Sequence, residues 1–392
     1  MRFFFLMFVP FLSAEAVAQT DIEWDFDADL TIVAVPGGED SGPEVRNGLT
    51  EISVSTDAEY LFQNGVELSG RLTFRAQTDH PARPGFAGAL YDCDPALPYC
   101  PGVSGQGVRG AFSRVSTLGA SEKTGARGSL EAAFIAIDGG WGEIVIGRDQ
   151  GIGQRFYEGG PAVFSLARSS NPILDPFGTS LSRTKNDISS TAMKVSLTTP
   201  RILGIRAGLS YTPDSSVRRL DIDTSHTVVG VIEPELRETL EMGLQGSRYL
   251  RDADVRVRAS LTWSQTQVEG PVYDDMDTIS AGVDFERRDA FRFGVSYLRS
   301  TNGGLGDYSS VSAGGSVWID DWELTLSGDR SEDETIDLSG WSTTVGASRE
   351  LSENVSFSVG YRTGETDIID GWTGRGSSID RDGVLLEVRI SN

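Results

Sequence analysis

The chain is poor in the residues that metal centres and thiol chemistry require. Its 392 residues include two cysteines, Cys93 and Cys100, and two histidines, His80 and His226. A zinc site needs more Cys or His ligands than this, and the two histidines lie in separate loop-like regions. The chain also has no Gly-x-Ser-x-Gly motif, and neither histidine lies on a predicted strand beside a nucleophile. We therefore expect no enzymatic activity, no metal site and no cofactor.

Positive charge and long apolar runs are scarce as well. There are 34 Lys and Arg residues against 57 Asp and Glu residues, which gives a net charge of -23 and excludes nucleic-acid binding by bulk charge. The only long apolar run lies at the N-terminus, so the mature chain has no helix of about 20 apolar residues that could span a bilayer. Because lipid cannot hydrogen-bond exposed backbone groups, a membrane-spanning form of this chain must be a closed β-barrel.

Residues 1–18 have the features of a secretory signal peptide. Arg2 gives a basic start, residues 3–12 are apolar, and Ala16-Val17-Ala18 is a small-x-small cleavage site. We therefore expect the mature chain, residues 19–392, to be exported and to form one domain. In an exported chain the closely spaced Cys93 and Cys100, which flank a proline-broken stretch, are predicted to form a disulfide that staples a loop.

The dominant pattern in the mature chain is alternation with period two. Around residues 66–78, apolar side chains such as Leu72 and Phe74 take one parity, while Arg71 and Arg75 take the other. Residues 51–63 repeat the pattern, and the Asn64-Gly65 step between the two segments is typical of a tight hairpin. Similar segments continue to the C-terminus, separated alternately by short turns and by longer polar connections, the last of which covers residues 364–378. We count about sixteen strands, an even number that returns both termini to the side of the short turns.

Three observations favour a membrane barrel over a soluble sandwich. The polar parity carries repeated Arg, Glu and Asp, which a packed interior does not accept. The connections are long on one side only, and aromatic residues occur near strand ends as in an interfacial girdle. These aromatic residues are Trp24, Tyr60, Trp141, Trp263, Trp322 and Tyr361. The predicted fold is therefore an all-β, transmembrane antiparallel β-barrel with short periplasmic turns, long external loops and a polar lumen.

Residues 141–151, which read Trp-Gly-Glu-Ile-Val-Ile-Gly-Arg-Asp-Gln-Gly, carry a more specific pattern. This stretch resembles the strand before the constriction loop in general porins of Gram-negative bacteria, particularly those of α-proteobacteria. The resemblance implies an outer-membrane channel for passive diffusion of ions and small hydrophilic solutes, with the bilayer and lipopolysaccharide as neighbours. It also implies a homotrimer, and a third loop, residues 150–186, that folds into the pore.

Two alternatives remain within the barrel class: a substrate-selective channel and a plugged, structural barrel. Selective sugar channels line their path with aromatic side chains. Here Phe, Tyr and Trp mostly take the outer parity, which favours the general porin.

A porin constriction places charges of opposite sign across the pore, which orients polar solutes in a transverse field. The candidate bases are Arg71 and Arg75, on the inner parity of a strand, and Arg148 at the end of the strand that leads into the third loop. Strict parity would aim Arg148 outward, so its lumen role depends on the resemblance or on a local bulge. The candidate acids, on the loop, are Asp149, Glu158 and Asp175.

Two smaller expectations concern the loops. Residues 161–168 are predicted to form the short helical piece that constriction loops often contain. The acidic clusters Asp274-Asp275-Asp277 and Glu332-Asp333-Glu334 are expected to be solvated surface, with adventitious Ca²⁺ binding as the alternative. The overall negative charge predicts a modest preference for cations.

Overall fold

A computed structural model describes residues 22–36, 47–80, 91–92, 107–115, 126–222, 231–335, 337–370 and 376–392. The signal peptide, Cys93, Cys100 and His226 lie outside these residues. The cleavage site and the disulfide therefore stay predictions, which the mass of the exported chain before and after reduction would check. Within the described residues, no helix has both the length and the apolar character needed to cross a membrane.

Sixteen strands make up the wall of a closed antiparallel barrel. The wall strands are β1 (Glu23–Ala34), β2 (Gly48–Leu61), β3 (Glu67–Gln77), β6 (Arg127–Gly139), β7 (Gly142–Arg148), β8 (Met193–Thr198), β9 (Ile205–Asp214), β11 (Glu235–Leu250), β12 (Val255–Glu269), β13 (Met276–Arg287), β14 (Phe291–Ser300), β15 (Tyr308–Ile319), β16 (Trp322–Asp333), β17 (Leu338–Ser352), β18 (Val355–Asp370) and β19 (Gly376–Ser391). Three two-residue strands lie in the connections: β4 (Tyr91–Asp92), β5 (Gly107–Val108) and β10 (Val231–Ile232). A single turn of helix, α1, covers Ile152–Arg155.

The barrel closes where the first and last wall strands meet. β1 pairs with β2 on one side and with β19 on the other, so neither strand is left with an open edge. Elsewhere each wall strand pairs with the wall strand that follows it along the chain, including β3 with β6 and β9 with β11. Closure satisfies the backbone groups that lipid could not. The predicted strand number and strand direction are confirmed.

The two parities of each strand face different solvents. On β3, Leu72 and Phe74 are 54% and 52% exposed on the outside, whereas Arg75 and Gln77 are 7% and 2% exposed in the lumen. Trp24 and Trp141 lie on the outside near strand ends, as predicted for a girdle. The prediction is wrong for Trp263 and Tyr361, which lie well inside β12 and β18, and Trp263 lines an apolar groove on the outer wall with neighbouring leucines.

The external connections, numbered L1 to L8 in chain order, differ in length. L2 (residues 78–126), L3 (149–192) and L4 (215–234) are long, but L7 (334–337) and L8 (371–375) are short. The expectation of a long polar connection over residues 364–378 is wrong, because β18 continues to Asp370 and β19 starts at Gly376 in continuous register. Beyond the lipid, the strand ladder tolerates polar side chains on both faces, so polar composition does not mark the end of a strand.

The lipid-facing parity gives a direct test of the fold. Leu326 is 57% exposed on the outside of β16, whereas Leu203 is 98% exposed in the periplasmic turn between β8 and β9. Leu326→Arg should destabilise the assembled barrel by about 2–4 kcal/mol, because it places a charge in hydrocarbon. Leu203→Arg should leave stability unchanged, because that position meets water. Urea unfolding in lipid vesicles measures both variants, and equal stability would contradict the assigned membrane face.

Candidate functional site: the lumen and its constriction

L3 folds into the barrel and occupies much of its lumen. Its apolar residues Phe156, Phe164, Leu174 and Ile188 are buried inside the wall. Apart from α1, L3 is irregular, so its backbone N–H and C=O groups need partners other than a helix ladder. Wall strands supply some of these partners, such as the Ser210 hydroxyl for the N–H of Ile152 at 3.1 Å, and others lie within L3.

A row of inward-facing glycines lets the L3 backbone lie directly against the wall. A Cβ atom at Gly314 would stand 2.1 Å from the carbonyl oxygen of Pro161, and one at Gly282 would stand 2.0 Å from that of Glu158. Several of these glycines are cross-strand partners, so the row crosses neighbouring strands at matching levels. The partner pairs are Gly208 with Gly243, Gly294 with Gly314, and Gly346 with Gly360. Any side chain at Gly282 or Gly314 would push the loop into the lumen.

A buried carboxylate fixes the far part of L3. Glu387 on β19 accepts hydrogen bonds from the backbone N–H groups of Ser165, Leu166 and Ala167 at 2.6, 3.1 and 3.0 Å, and from the Ser165 hydroxyl at 2.8 Å. The predicted helix over residues 161–168 is therefore wrong. These N–H groups converge on one carboxylate instead of lying along a helix axis, and the helical turn of L3 is α1.

A buried lysine ties the two ends of L3 together. Lys194, near the start of β8, donates to the backbone carbonyl of Asp149 at the beginning of the loop. It also donates to the carbonyl of Ser190, near the end of the loop, at 2.9 Å. The loop is thus held at its base by Lys194 and at its far side by Glu387.

Between L3 and the opposite wall lies a cavity of about 540 Å³. Strands β2, β3, β6 and β7 form its wall, and L3 and L4 contribute the remainder. Its charged lining consists of six carboxylates and four arginines. The carboxylates are Glu51, Asp57, Glu59, Glu131, Glu143 and Asp149, and the arginines are Arg71, Arg75, Arg155 and Arg219.

Each of the four arginines is ion-paired. The pairs are Arg71–Asp57 at 2.5 Å, Arg155–Glu143 at 2.5 Å, Arg75–Asp221 at 2.7 Å and Arg219–Asp221 at 2.7 Å. Three lining carboxylates, Glu51, Glu59 and Asp149, form no ion pair with the described residues. Burial raises the pKa of Asp149, against the influence of nearby Arg155. The six carboxylates of the lining outnumber its four arginines, so the surplus charge of the cavity is negative.

The chain matches the family of Gram-negative porins over residues 6–368. It belongs to this family. It is an outer-membrane porin, a channel for passive diffusion, as the sequence predicted. A search of curated proteins finds no match to the chain.

Solved structures share the fold of this porin. The outer-membrane channel DcaP of Acinetobacter baumannii superposes with a TM-score of 0.55 at 10% identity, covering 97% of this chain and 99% of that one. The anion-selective porin of Comamonas acidovorans gives 0.53 at 12% identity, covering 95% and 100%. The outer-membrane protein OmpT of Vibrio cholerae, in its trimer form, gives 0.53 at 12% identity, covering 95% and 99%.

The structure brings three of the predicted constriction residues, Arg71, Arg75 and Asp149, to the cavity of this porin. Arg148 is not among the residues that line it. Arg148 follows the outward parity of Ile146, and its cross-strand partner on β8, Met193, is 60% exposed on the outside. The register of β7 with β6 and β8 is continuous through Arg148, without a bulge, and the Arg148 Nε donates to the carbonyl of Thr191 at 3.2 Å.

The other two predicted loop acids, Glu158 and Asp175, are not among the residues that line the cavity. Glu158 accepts a hydrogen bond from Gln245 at 2.7 Å and lies 3.6 Å from Arg258, against β11 and β12. Burial raises the pKa of Glu158. Asp175 is buried within L3, where it accepts a hydrogen bond from the N–H of Ser180 at 2.8 Å.

Several lining residues were not singled out from the sequence. Glu51, Asp57 and Glu59 lie on the inner parity of β2, so alternation does point them into the lumen. Alternation does not say which strand lies opposite the constriction loop. Arg219 comes from L4, and no local pattern links that loop to the cavity.

The residues of the two acidic loop clusters are exposed, as expected, with the exception of Asp333. Among the described residues, no group of three or more His, Cys, Asp or Glu side chains could hold a metal ion. Asp333, expected to be solvated, is buried and accepts hydrogen bonds from the Asn302 side chain at 3.1 Å and the Thr335 N–H at 3.0 Å. Its hydrogen bonds join the external connection that contains Asn302 to the one that contains Thr335.

The glycine row predicts a sharp difference between two neighbouring positions on β15. Gly314→Ala should displace L3, because its Cβ would overlap the Pro161 carbonyl, whereas at outward-facing Gly315 the nearest atom is 3.7 Å away. We expect Gly314→Ala to keep the heat-modifiable barrel but to expose L3 to trypsin and alter single-channel conductance. Gly315→Ala is the matched control. Protection of L3 in Gly314→Ala equal to that in the control would contradict the role of the row.

Proposed function

We propose that this porin is a general diffusion channel with a preference for cations. The observation that carries the proposal is the charge balance of the cavity: six carboxylates face four arginines, each arginine is ion-paired, and Glu59 and Asp149 form no ion pair with the described residues. A lumen with surplus negative charge concentrates cations and depletes anions. The solutes that fit this lining are water, inorganic cations and small hydrophilic molecules that are neutral, zwitterionic or positively charged.

This selectivity is the reverse of that named for one structural neighbour. The Comamonas porin is described as anion-selective, and it shares the barrel with this chain at 12% identity. Two porins that share a barrel can differ in the charges that line the lumen, because side chains of the inner parity can change without disturbing the wall. The selectivity proposed here therefore depends on this chain's own carboxylates.

A salt gradient across a planar bilayer tests the proposal. The zero-current potential should have the sign of cation selectivity. Glu59→Gln and Asp149→Asn should each lower the cation-to-anion permeability ratio by about twofold, the effect of one unit charge acting across ~10 Å of water. The matched controls are Glu353→Gln and Asp320→Asn, at exposed positions in periplasmic turns. An anion-selective wild-type channel would refute the proposal.

The proposed partners follow from the outward face and the family. The apolar parity faces the bilayer, with lipopolysaccharide as the outer-leaflet neighbour, and we infer that the protein assembles as a homotrimer without catalytic activity. The trimer is supported by the Vibrio cholerae neighbour, which is described in a trimer form. Lipopolysaccharide that stays with the purified protein would support the lipid contact.

The trimer has a simple measurement. One chain has a mass of 42.2 kDa. Detergent-corrected light scattering of unheated protein should give three times the mass of the mature chain, falling to one chain after boiling. A particle of one chain mass before heating would contradict the trimer and leave the channel proposal standing.

A further inference from the structure

L4 also enters the lumen. Residues 218–222, which follow β9, are each at most 7% exposed, although two of them are arginines and one is an aspartate. A surface loop would leave such side chains in water. Their burial shows that this part of L4 packs inside the barrel.

This segment bridges L3 and the opposite wall. On the L3 side, Arg218 donates to the carbonyl of Ile188 at 2.8 Å, and the N–H of Arg219 donates to the Ser190 hydroxyl at 2.9 Å. On the wall side, the partners belong to β3 and β6. The contacts there are Arg127 to the Leu220 carbonyl at 2.5 Å, the Leu220 N–H to Glu131 at 3.3 Å, and Arg75 to Asp221 at 2.7 Å.

The bridge lies on the external side of the cavity. Arg75 and Arg127 are near the external ends of β3 and β6, whereas Glu143, which also lines the cavity, is near the periplasmic end of β7. A smaller space of about 40 Å³ beside the bridge is lined by residues of L2, L3 and L4. The L4 bridge therefore lies at the external end of the cavity that L3 forms with the wall.

Asp221 is the central charge of this bridge. Its carboxylate lies 2.7 Å from both Arg75 and Arg219, one on the wall and one on L4. The other carboxylates near these two arginines are more distant, with Glu131 at 3.5 Å from Arg75 and Asp187 at 3.6 Å from Arg219. Without the Asp221 charge, two guanidinium groups would face the path with weaker compensation.

We propose that residues 218–222 form a second constriction, external to that of L3, and that Asp221 determines its charge selectivity. By neutralising Arg75 and Arg219 together, Asp221 keeps the external entrance open to cations and zwitterions. Small anions gain no binding site there. This inference deepens the proposed function and rests on the same cavity, but it assigns selectivity to a residue of L4.

Asp221→Asn tests the charge assignment. It should lower the cation-to-anion permeability ratio by about twofold or more, since a unit charge is removed beside the path. The matched control is Asp214→Asn, the same change at the base of L4, where Asp214 pairs with half-exposed Arg237. A ratio unchanged in Asp221→Asn, with cation selectivity intact in the wild type, would overturn this inference alone. Anion selectivity in the wild type would instead overturn the proposed function.

A second variant keeps the inference testable if Asp221→Asn folds poorly. Arg219→Cys places a thiol in the cavity lining, and a membrane-impermeant, negatively charged methanethiosulfonate added to the external side should reduce the single-channel current by at least half. Leu203→Cys, in a fully exposed periplasmic turn, and the wild-type chain are the controls. An unchanged current in labelled Arg219→Cys, with labelling verified by mass, would show that L4 lies outside the path.

Discussion

The structure depends on one constraint: a backbone that crosses lipid must pair all its own polar groups. The pairing of β1 with β19 satisfies that constraint by removing the last open edge. Once the sheet is closed, one parity of every strand faces lipid and the other faces the lumen. A sheet of sixteen strands encloses more space than its own side chains can fill, so the loops determine how wide the pore is.

The loops that enter the lumen also have backbone N–H and C=O groups that need hydrogen-bond partners. The glycines of the wall let the L3 backbone come close at Glu158 and Pro161. Charged side chains then satisfy part of the L3 backbone, with three N–H groups on the Glu387 carboxylate and two carbonyls on Lys194. A buried charge that receives several hydrogen bonds is less costly than an unpaired one, and it fixes the position of the chain around it.

Anchoring and selectivity are linked through the arginines. Arg75 and Arg219, which could have given the pore a basic surface, are engaged by Asp221, and Arg155 is engaged by Glu143. The Arg155–Glu143 pair holds L3 to the wall and the Arg75–Asp221 pair holds L4 to it, so the charges of these arginines are compensated within the protein. The carboxylates left over then set the field that a solute experiences. The proposed cation preference rests on these unpaired carboxylates.

By itself, the sequence determined the barrel, the antiparallel direction of its strands and the parity that faces the membrane. It could do so because alternation is a local property that each strand displays alone. The inward direction of Arg71 and Arg75 followed from the same rule, and so did the outward direction of Arg148. The rule could not place the ends of β18 and β19, since polar residues pair as readily as apolar ones above the lipid. Tertiary structure decided the conformation of residues 161–168 through Glu387, more than 200 residues away in sequence. It also decided which charges meet in the pore, because Arg75 and Asp221 come together only after the sheet has closed and L4 has folded across it.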